Sequence, residues 1–161
     1  MADKIGVMNQ GILLQYDAPG QLYDHPNDLF VAGFIGSPTM NFLECERVEK
    51  GGKMLLQFER FALDLTSLKE TLLAAGKKLV MGVRPHDVSV GARGIKQGSE
   101  AEVYLVEPIG DQNIIDLKVG SQLVKAVVPR SVKVAEGAKI DMAFDLNRIH
   151  VFDRETEKAV V

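Results

Sequence analysis

Residues 100–128 read EAEVYLVEPI GDQNIIDLKV GSQLVKAVV. Apolar and polar residues alternate, or β-branched residues follow one another, in three runs that span 100–107, 114–119 and 122–128. Alternation with a period of two is typical of strands that bury one face. Gly120 and Ser121 separate the last two runs and supply the two residues of a tight hairpin turn. The stretch therefore predicts three consecutive strands, the last two paired as a hairpin.

Shorter strand patterns lie on both sides of this stretch, and few helical patterns interrupt them. Closing a sheet into a barrel removes its exposed edges, and many short strands at this spacing are typical of small barrels. We therefore expect a mainly β fold built around a small barrel. A glycine-rich loop is expected at 91–98. The other predicted strands span 43–49, 54–58, 79–83, 138–144 and 149–152.

The first 36 residues predict a different unit, a hairpin followed by two short helices. The hairpin pairs 5–8 with 12–16 around a glycine-bearing turn. Pro19 suits the first turn of the first helix, because its missing N–H has no helical partner to lose. Asn27 or Asp28 is expected to cap the second helix, which ends at Gly36.

Two further local patterns lie outside the predicted strands. The run Ser67-Leu68-Lys69-Glu70 has the spacing of a capping box and predicts a helix that ends at Gly76, with Leu68, Leu72 and Leu73 facing the core. The last residues, 156–161, follow the closing strand and are expected to form a frayed tail.

Composition narrows the class of protein. The 161 residues are 46% hydrophobic and 25% charged, with a net charge of −3, which argues against a broad nucleic-acid surface. Cys45 is the only cysteine, so an internal disulfide and a cysteine zinc cluster are excluded, and we interpret it as a core residue. His25, His86 and His150 lie far apart in the sequence and do not have metal-ligand spacing. We find neither a secretory signal nor a membrane span in the sequence.

Residues 29–42, LFVAGFIGSPTMNF, contain no charged side chain and end after a Ser-Pro break. This position between two patterns predicts a hinge between the tail of one domain and the start of another. Phe30, Phe34, Ile35 and Phe42 offer more apolar surface than a short hairpin can bury. They are expected either to join the two segments as core or to contact a second subunit, and the sequence favours neither.

A second candidate is the turn Arg84-Pro85-His86-Asp87, in which a predicted strand runs into a proline-stiffened segment with both signs of charge. One interpretation is an Arg84–Asp87 ion pair that ties the turn together. The other is a contact surface for a partner domain. Local chemistry alone favours the ion pair.

Several motifs, in this order, resemble the ATPase subunits of bacterial sugar-type ABC importers. They are ADKIGVMNQG, PGQLYDHP, FVAGFIGSPTMNF and GVRPHD, followed by a closing segment at 146–153. The resemblance covers nearly the whole chain and is weakest over 51–78. At the position of His86 that family commonly has glutamate.

The resemblance implies the domain organisation. Residues 1–36 correspond to the C-terminal remnant of the nucleotide-binding domain, 37–155 to a regulatory barrel of the OB-like TOBE type, and 156–161 to a tail. By this resemblance, the family's phosphate loop, signature motif, magnesium-site aspartate, catalytic glutamate and switch histidine would all lie upstream of Met1. We expect no catalytic residue, cofactor or metal site in this chain, and assign ATP and Mg²⁺ to the longer parent protein.

The function implied by the resemblance is that of a non-catalytic regulatory and dimerisation domain in the uptake of a sugar or sugar-like solute. Expected partners are a second copy, the nucleotide-binding domain, through it the membrane permease subunits, and in some members a regulatory protein. The expected location is the cytoplasmic face of the membrane. The candidate contact residues are Phe30, Phe34, Ile35, Ser37, Pro38, Asn41, Phe42, Arg84, Pro85, His86 and Asp87.

Other functions stay open from the residues alone. A first alternative is a barrel that senses a small ligand, an oxyanion or a sugar. A second is an OB-type nucleic-acid binder, although an acidic chain with 6% aromatic residues and no tryptophan lacks the usual stacking surface. An independent enzyme has the least support, because no local catalytic motif occurs.

Overall fold

A computed structural model of the chain describes residues 3–91 and 98–161. The first unit is an antiparallel hairpin of β1 (Ile5–Asn9) and β2 (Ile12–Asp17), followed by helices α1 (Pro19–Asp24) and α2 (Leu29–Phe34). The predicted hairpin and two helices are confirmed. Among the described residues, no helix is of a length and apolarity that would span a membrane.

Within the described residues, ten further strands form two five-stranded sheets in which all neighbours are antiparallel. They curl into a nearly closed, barrel-like structure, which confirms the mainly β, OB-like fold class. One sheet has the order β12-β6-β3-β4-β5 and the other the order β10-β9-β8-β11-β7. Most of the predicted glycine-rich loop at 91–98 lies outside the described residues. The strands are β3 (Asn41–Lys50), β4 (Lys53–Gln57), β5 (Ala62–Asp64), β6 (Lys78–Val83), β7 (Val88–Val90), β8 (Gly98–Ile109), β9 (Gln112–Val119), β10 (Gln122–Pro129), β11 (Lys139–Phe144) and β12 (His150–Asp153).

The main core lies between the two sheets and collects the inward residues of alternating strands. In β9, for example, Ile115 and Leu117 are fully buried while Lys118 faces solvent. Cys45 belongs to this core, and burial raises the pKa of its thiol to about 12. The interpretation of Cys45 as a small core residue is therefore confirmed.

The predicted capping box at Ser67–Glu70 is wrong. Helix α3 spans Lys69–Leu73 and follows a 3₁₀ turn at Thr66–Leu68, with no side-chain cap at either start. The Thr66 hydroxyl instead donates to Asp64 and accepts the backbone N–H of Met54, at 2.5 and 3.0 Å. These bonds tie the turn to the neighbouring strands one residue before the predicted cap. Leu72 is buried as predicted, whereas Leu73 is 48% exposed.

The prediction of a frayed C-terminal tail is also wrong. The N–H of Leu29 donates to the carbonyl of Glu157 at 3.0 Å, and the N–H of Ala159 donates to the carbonyl of Asn27 at 2.9 Å. On its other side the segment pairs with β12, where Val160 donates to Val151 at 2.7 Å. Residues 157–161 therefore run between the N-terminal unit and the barrel. The three domain boundaries themselves stay a prediction.

Candidate functional site

Arg84 connects the N-terminal unit to the barrel. It follows the last residue of β6, and its side chain is 2% exposed. The guanidinium donates hydrogen bonds to the carbonyls of Tyr23 at 2.8 Å, Ile35 at 2.5 Å and Ala32 at 3.2 Å. These carbonyls belong to the ends of α1 and α2, where backbone acceptors lack partners within the helix and the helix dipole is negative. We call this set of contacts the junction.

Two further features fit the chain around the guanidinium. The Arg84 Cζ lies 4.1 Å from the centroid of the Tyr23 ring, which is cation–π geometry. Gly36 has φ +115, and a Cβ atom built on it would lie 3.0 Å from the Arg84 Nη1. Glycine therefore serves both the backbone conformation and the close approach at this position. Burial lowers the pKa of Arg84, and its Nε atom has no acceptor among the described residues.

The predicted Arg84–Asp87 ion pair is wrong, because the Arg84 side chain points to the N-terminal unit. Asp87 instead pairs with Arg148, whose Nε lies 2.8 Å from the carboxylate. Burial raises the pKa of Asp87, and the positive charge of Arg148 opposes that shift. The turn is thus held to the segment before β12.

Asn41 joins the two sheets. Its side-chain amide donates to the carbonyl of Lys125 at 2.8 Å, and its side-chain oxygen accepts the N–H of the same residue at 2.7 Å. Asn41 lies on β3 in one sheet and Lys125 on β10 in the other. The amide therefore takes the place of a neighbouring strand for one residue of β10.

The structure divides the candidate contact residues by exposure. Asn41, Arg84 and Pro85 are buried within the chain, so their predicted role as partner contacts does not fit this conformation. Phe34 is 67% exposed and stacks on Phe30, with ring centroids 6.0 Å apart. The half-buried candidates are Ile35, Pro38 and Asp87, and the exposed ones are Phe30, Phe34, Ser37, Phe42 and His86. We call Phe30, Phe34 and Phe42 the aromatic surface.

Our sequence interpretation missed a second apolar surface, which lies on the hairpin. Met8, Leu13 and Tyr16 lie on one face of the hairpin, and each is more than half exposed, between 54% and 59%. The signal was present in the unusual apolar content of a hairpin that has little core of its own. An exposed group of large apolar side chains of this kind is typical of a contact surface.

A cavity of about 470 Å³ lies beside the junction, between the end of α1 and the start of β12. His150 is half-buried here. Burial lowers the pKa of His150 to about 4, and the nearby positive charge of Arg84 acts in the same direction. We call this space the junction cavity. Its lining residues are Tyr23, Asp24, His25, Arg84, Asp87, Asn147, Arg148, Ile149, His150 and Val161.

The depressed pKa of His150 predicts an acid-sensitive fold. Between about pH 6.5 and 4, the unfolded chain takes up a proton on His150 that the folded chain refuses, so stability falls as the pH falls. Allowing for partial exposure, we expect this group to remove about 1–2 kcal/mol of unfolding free energy across the window. Urea unfolding at several pH values should show a flatter dependence for His150→Gln. The exposed His86→Gln serves as control and should follow the parent, and equal slopes for both variants would contradict the assignment.

Two family descriptions match the chain. Residues 36–88 match the MalK OB fold domain, and residues 81–152 match the TOBE domain. Together they cover all strands of the two five-stranded sheets except the final residue of β12. The N-terminal hairpin lies outside both matches.

Several curated proteins are similar to the chain over almost all of its length. The trehalose/maltose import ATP-binding protein MalK of Thermococcus litoralis is 37% identical, over 99% of this chain and 45% of that protein. The xylose/arabinose import ATP-binding protein XacK of Haloferax volcanii is 34% identical, over 99% of this chain and 42% of its own length. The chain thus spans about half the length of the curated relatives it matches.

Among solved structures, the cytoplasmic molybdate-binding protein ModG, with molybdate bound, is similar to the chain with a TM-score of 0.52. The match covers 69% of this chain and 94% of ModG, at 14% sequence identity. At that identity the likeness shows a shared fold alone.

Proposed function

This chain belongs to the family of sugar-import ABC ATP-binding proteins, as their C-terminal TOBE region, and from that premise we propose that it is a non-catalytic regulatory and dimerisation domain. The observation that carries this proposal is the aromatic surface, which lies between the N-terminal unit and the barrel and is only partly covered by the described residues, with Phe34 67% exposed. We propose that a second copy covers it.

The exposed apolar face of the hairpin suggests how this chain contacts the rest of the longer parent protein. We propose that the apolar hairpin face contacts the upstream ATPase domain, since a two-stranded hairpin is marginal without further packing. ATP and Mg²⁺ belong to that upstream domain in this proposal, and we assign no residue of this chain to either. The parent protein would couple ATP hydrolysis to uptake of a sugar or sugar-like solute.

The remaining partners are proposed from position. The membrane permease subunits would be reached through the ATPase domain, which places the barrel on the cytoplasmic side of the membrane. His86 is exposed on the turn that follows Arg84. The next residue, Asp87, forms an ion pair with Arg148 and fixes the turn in place. We propose this turn as the contact for a regulatory protein. We propose no nucleic-acid partner, because a net charge of −3 argues against the broad basic surface that binding to a phosphate backbone requires.

The test of dimerisation is the solution mass of the chain and of Phe34→Glu, by sedimentation equilibrium over a wide concentration range. We expect the parent to dimerise and the glutamate to weaken the dimer at least about tenfold, because it places a charge in an apolar contact. Thermal melting should be nearly unchanged, since Phe34 is 67% exposed.

Leu73→Glu is the matched control, because Leu73 is also a largely exposed apolar residue on a short helix. It should dimerise like the parent. Equal weakening by both substitutions would assign the effect to net charge and contradict the interface. A parent that stays monomeric at every concentration would contradict dimerisation through this chain alone.

A further inference from the structure

The junction cavity has the position of a site that connects two units. Its lining comes from α1, from Arg84 and the turn after it, and from 147–150. A molecule bound there would contact the N-terminal unit and the barrel at the same time. Its volume of about 470 Å³ lies within the range of small-molecule sites.

The charges that line the cavity balance. The lining places two arginines, Arg84 and Arg148, against two aspartates, Asp24 and Asp87, so the formal charges of these four side chains sum to zero. Arg148 lies 2.8 Å from Asp87 and 3.9 Å from Asp24, so the positive charge of its head group is already opposed on two sides. The depressed pKa of His150 keeps this imidazole neutral at neutral pH. A cavity of this kind offers an anion little net attraction.

Hydrogen-bonding groups, in contrast, are abundant and of both kinds. The Arg148 guanidinium is about half exposed and keeps donors that its ion pair with Asp87 does not use. Asp24 is similarly exposed and supplies acceptors, and the exposed Asn147 supplies both. The buried Nε of Arg84 is a further donor without a partner among the described residues. Ile149 adds an apolar wall.

We propose that the junction cavity binds a small neutral polyhydroxyl compound, a sugar of one or two rings, between α1 and the segment before β12. Each hydroxyl group both donates and accepts, so it matches a lining in which arginine donors alternate with carboxylate and amide acceptors. The Asp87–Arg148 pair holds two of these groups in place before the ligand arrives, which reduces the ordering cost of binding.

The proposal deepens the proposed function, and it rests on that function only for its regulatory meaning. A ligand that contacts both α1 and the barrel favours the closed junction by its differential affinity for that state. It would therefore stiffen the connection between the ATPase segment and the regulatory barrel.

The test is a two-dimensional NMR titration of the ¹⁵N-labelled chain with maltose, trehalose, xylose and arabinose, and separately with sodium phosphate. We expect at least one sugar to shift the amide signals of Tyr23, His25 and the 147–150 segment in a saturable manner, while phosphate leaves them in place. The substitutions Asp24→Asn and Asn147→Ala, combined, should abolish the shifts. Asp111→Asn, an exposed position on the β8–β9 turn, is the control and should keep them.

Each result decides the question. Saturable shifts that vanish in the double variant support the site. Silence with all four sugars overturns it, and so does saturation by phosphate alone, which would assign an anion site instead. Shifts that survive in the double variant place the ligand elsewhere and overturn this location. None of these results changes the dimer measurement with Phe34→Glu, so failure of the sugar site is distinguishable from failure of the proposed function.

Discussion

Replacing Arg84 with alanine is expected to lower the free energy of unfolding by about 3–5 kcal/mol, measured by urea denaturation. The loss has two parts. The carbonyls of Tyr23, Ala32 and Ile35 lose their common donor, and each unpaired buried acceptor is costly. The stacking of the guanidinium on the Tyr23 ring is lost as well.

Two companion variants separate this explanation from a general effect of losing an arginine. Arg130→Ala removes an exposed arginine that donates to a single carbonyl, that of Gly110 at 3.2 Å, and should cost under about 1 kcal/mol. Arg84→Lys keeps the charge but lacks the planar fork that reaches several carbonyls, and should lie in between. A loss below about 1 kcal/mol for Arg84→Ala would mean that the junction does not stabilise the fold.

The second large effect is expected at Asn41, where alanine should remove about 2–4 kcal/mol of unfolding free energy. The substitution leaves both the N–H and the carbonyl of Lys125 without their partner at a buried position between the sheets. Asn113→Ala is the matched control. Asn113 is equally buried, but its amide donates a single bond, to Val132 at 3.2 Å, so the loss should be about half as large.

The isosteric change Asn41→Asp gives a test through pH. A protonated carboxyl donates to the carbonyl of Lys125 as the amide does, whereas the ionised form repels that carbonyl. The pKa of the new carboxyl should therefore be higher in the folded chain than in the unfolded one. Stability of the variant should be greatest below the unfolded pKa and fall as the pH rises through the folded value. Stability that is independent of pH relative to the parent would contradict this role for Asn41.

The strands could be predicted from the sequence because their periods and turns are local. The alternation at 114–119 and the turn at Gly120 depend on neighbours only a few residues away, and the structure agrees with both. The cap at Asp28 is equally local, and its carboxylate accepts the N–H of Val31 at 3.0 Å.

The contacts that build the site could not be predicted, because their partners are distant in sequence. A turn with Arg84 and Asp87 four residues long suggests a local ion pair, and nothing nearby shows that the guanidinium finds better acceptors at two helix ends. Residues 157–161 are a short run without the alternation that predicts a strand, yet unpaired backbone on the N-terminal unit and on β12 gives them partners. Exposure of the aromatic surface also depends on how the units meet.

Three hydrogen bonds between residues far apart in the sequence have a kinetic consequence. Arg84 and Tyr23 are 61 residues apart, Asn41 and Lys125 are 84 apart, and Lys158 and Asp28 are 130 apart. Closing such long loops costs chain entropy before the hydrogen bonds can form and offset that cost. Domains dominated by such long-range contacts fold in milliseconds to seconds. The barrel hairpins, with their local turns, can form first. The N-terminal unit therefore gains its fixed place on the barrel late in folding, only after the C-terminal residues have been made.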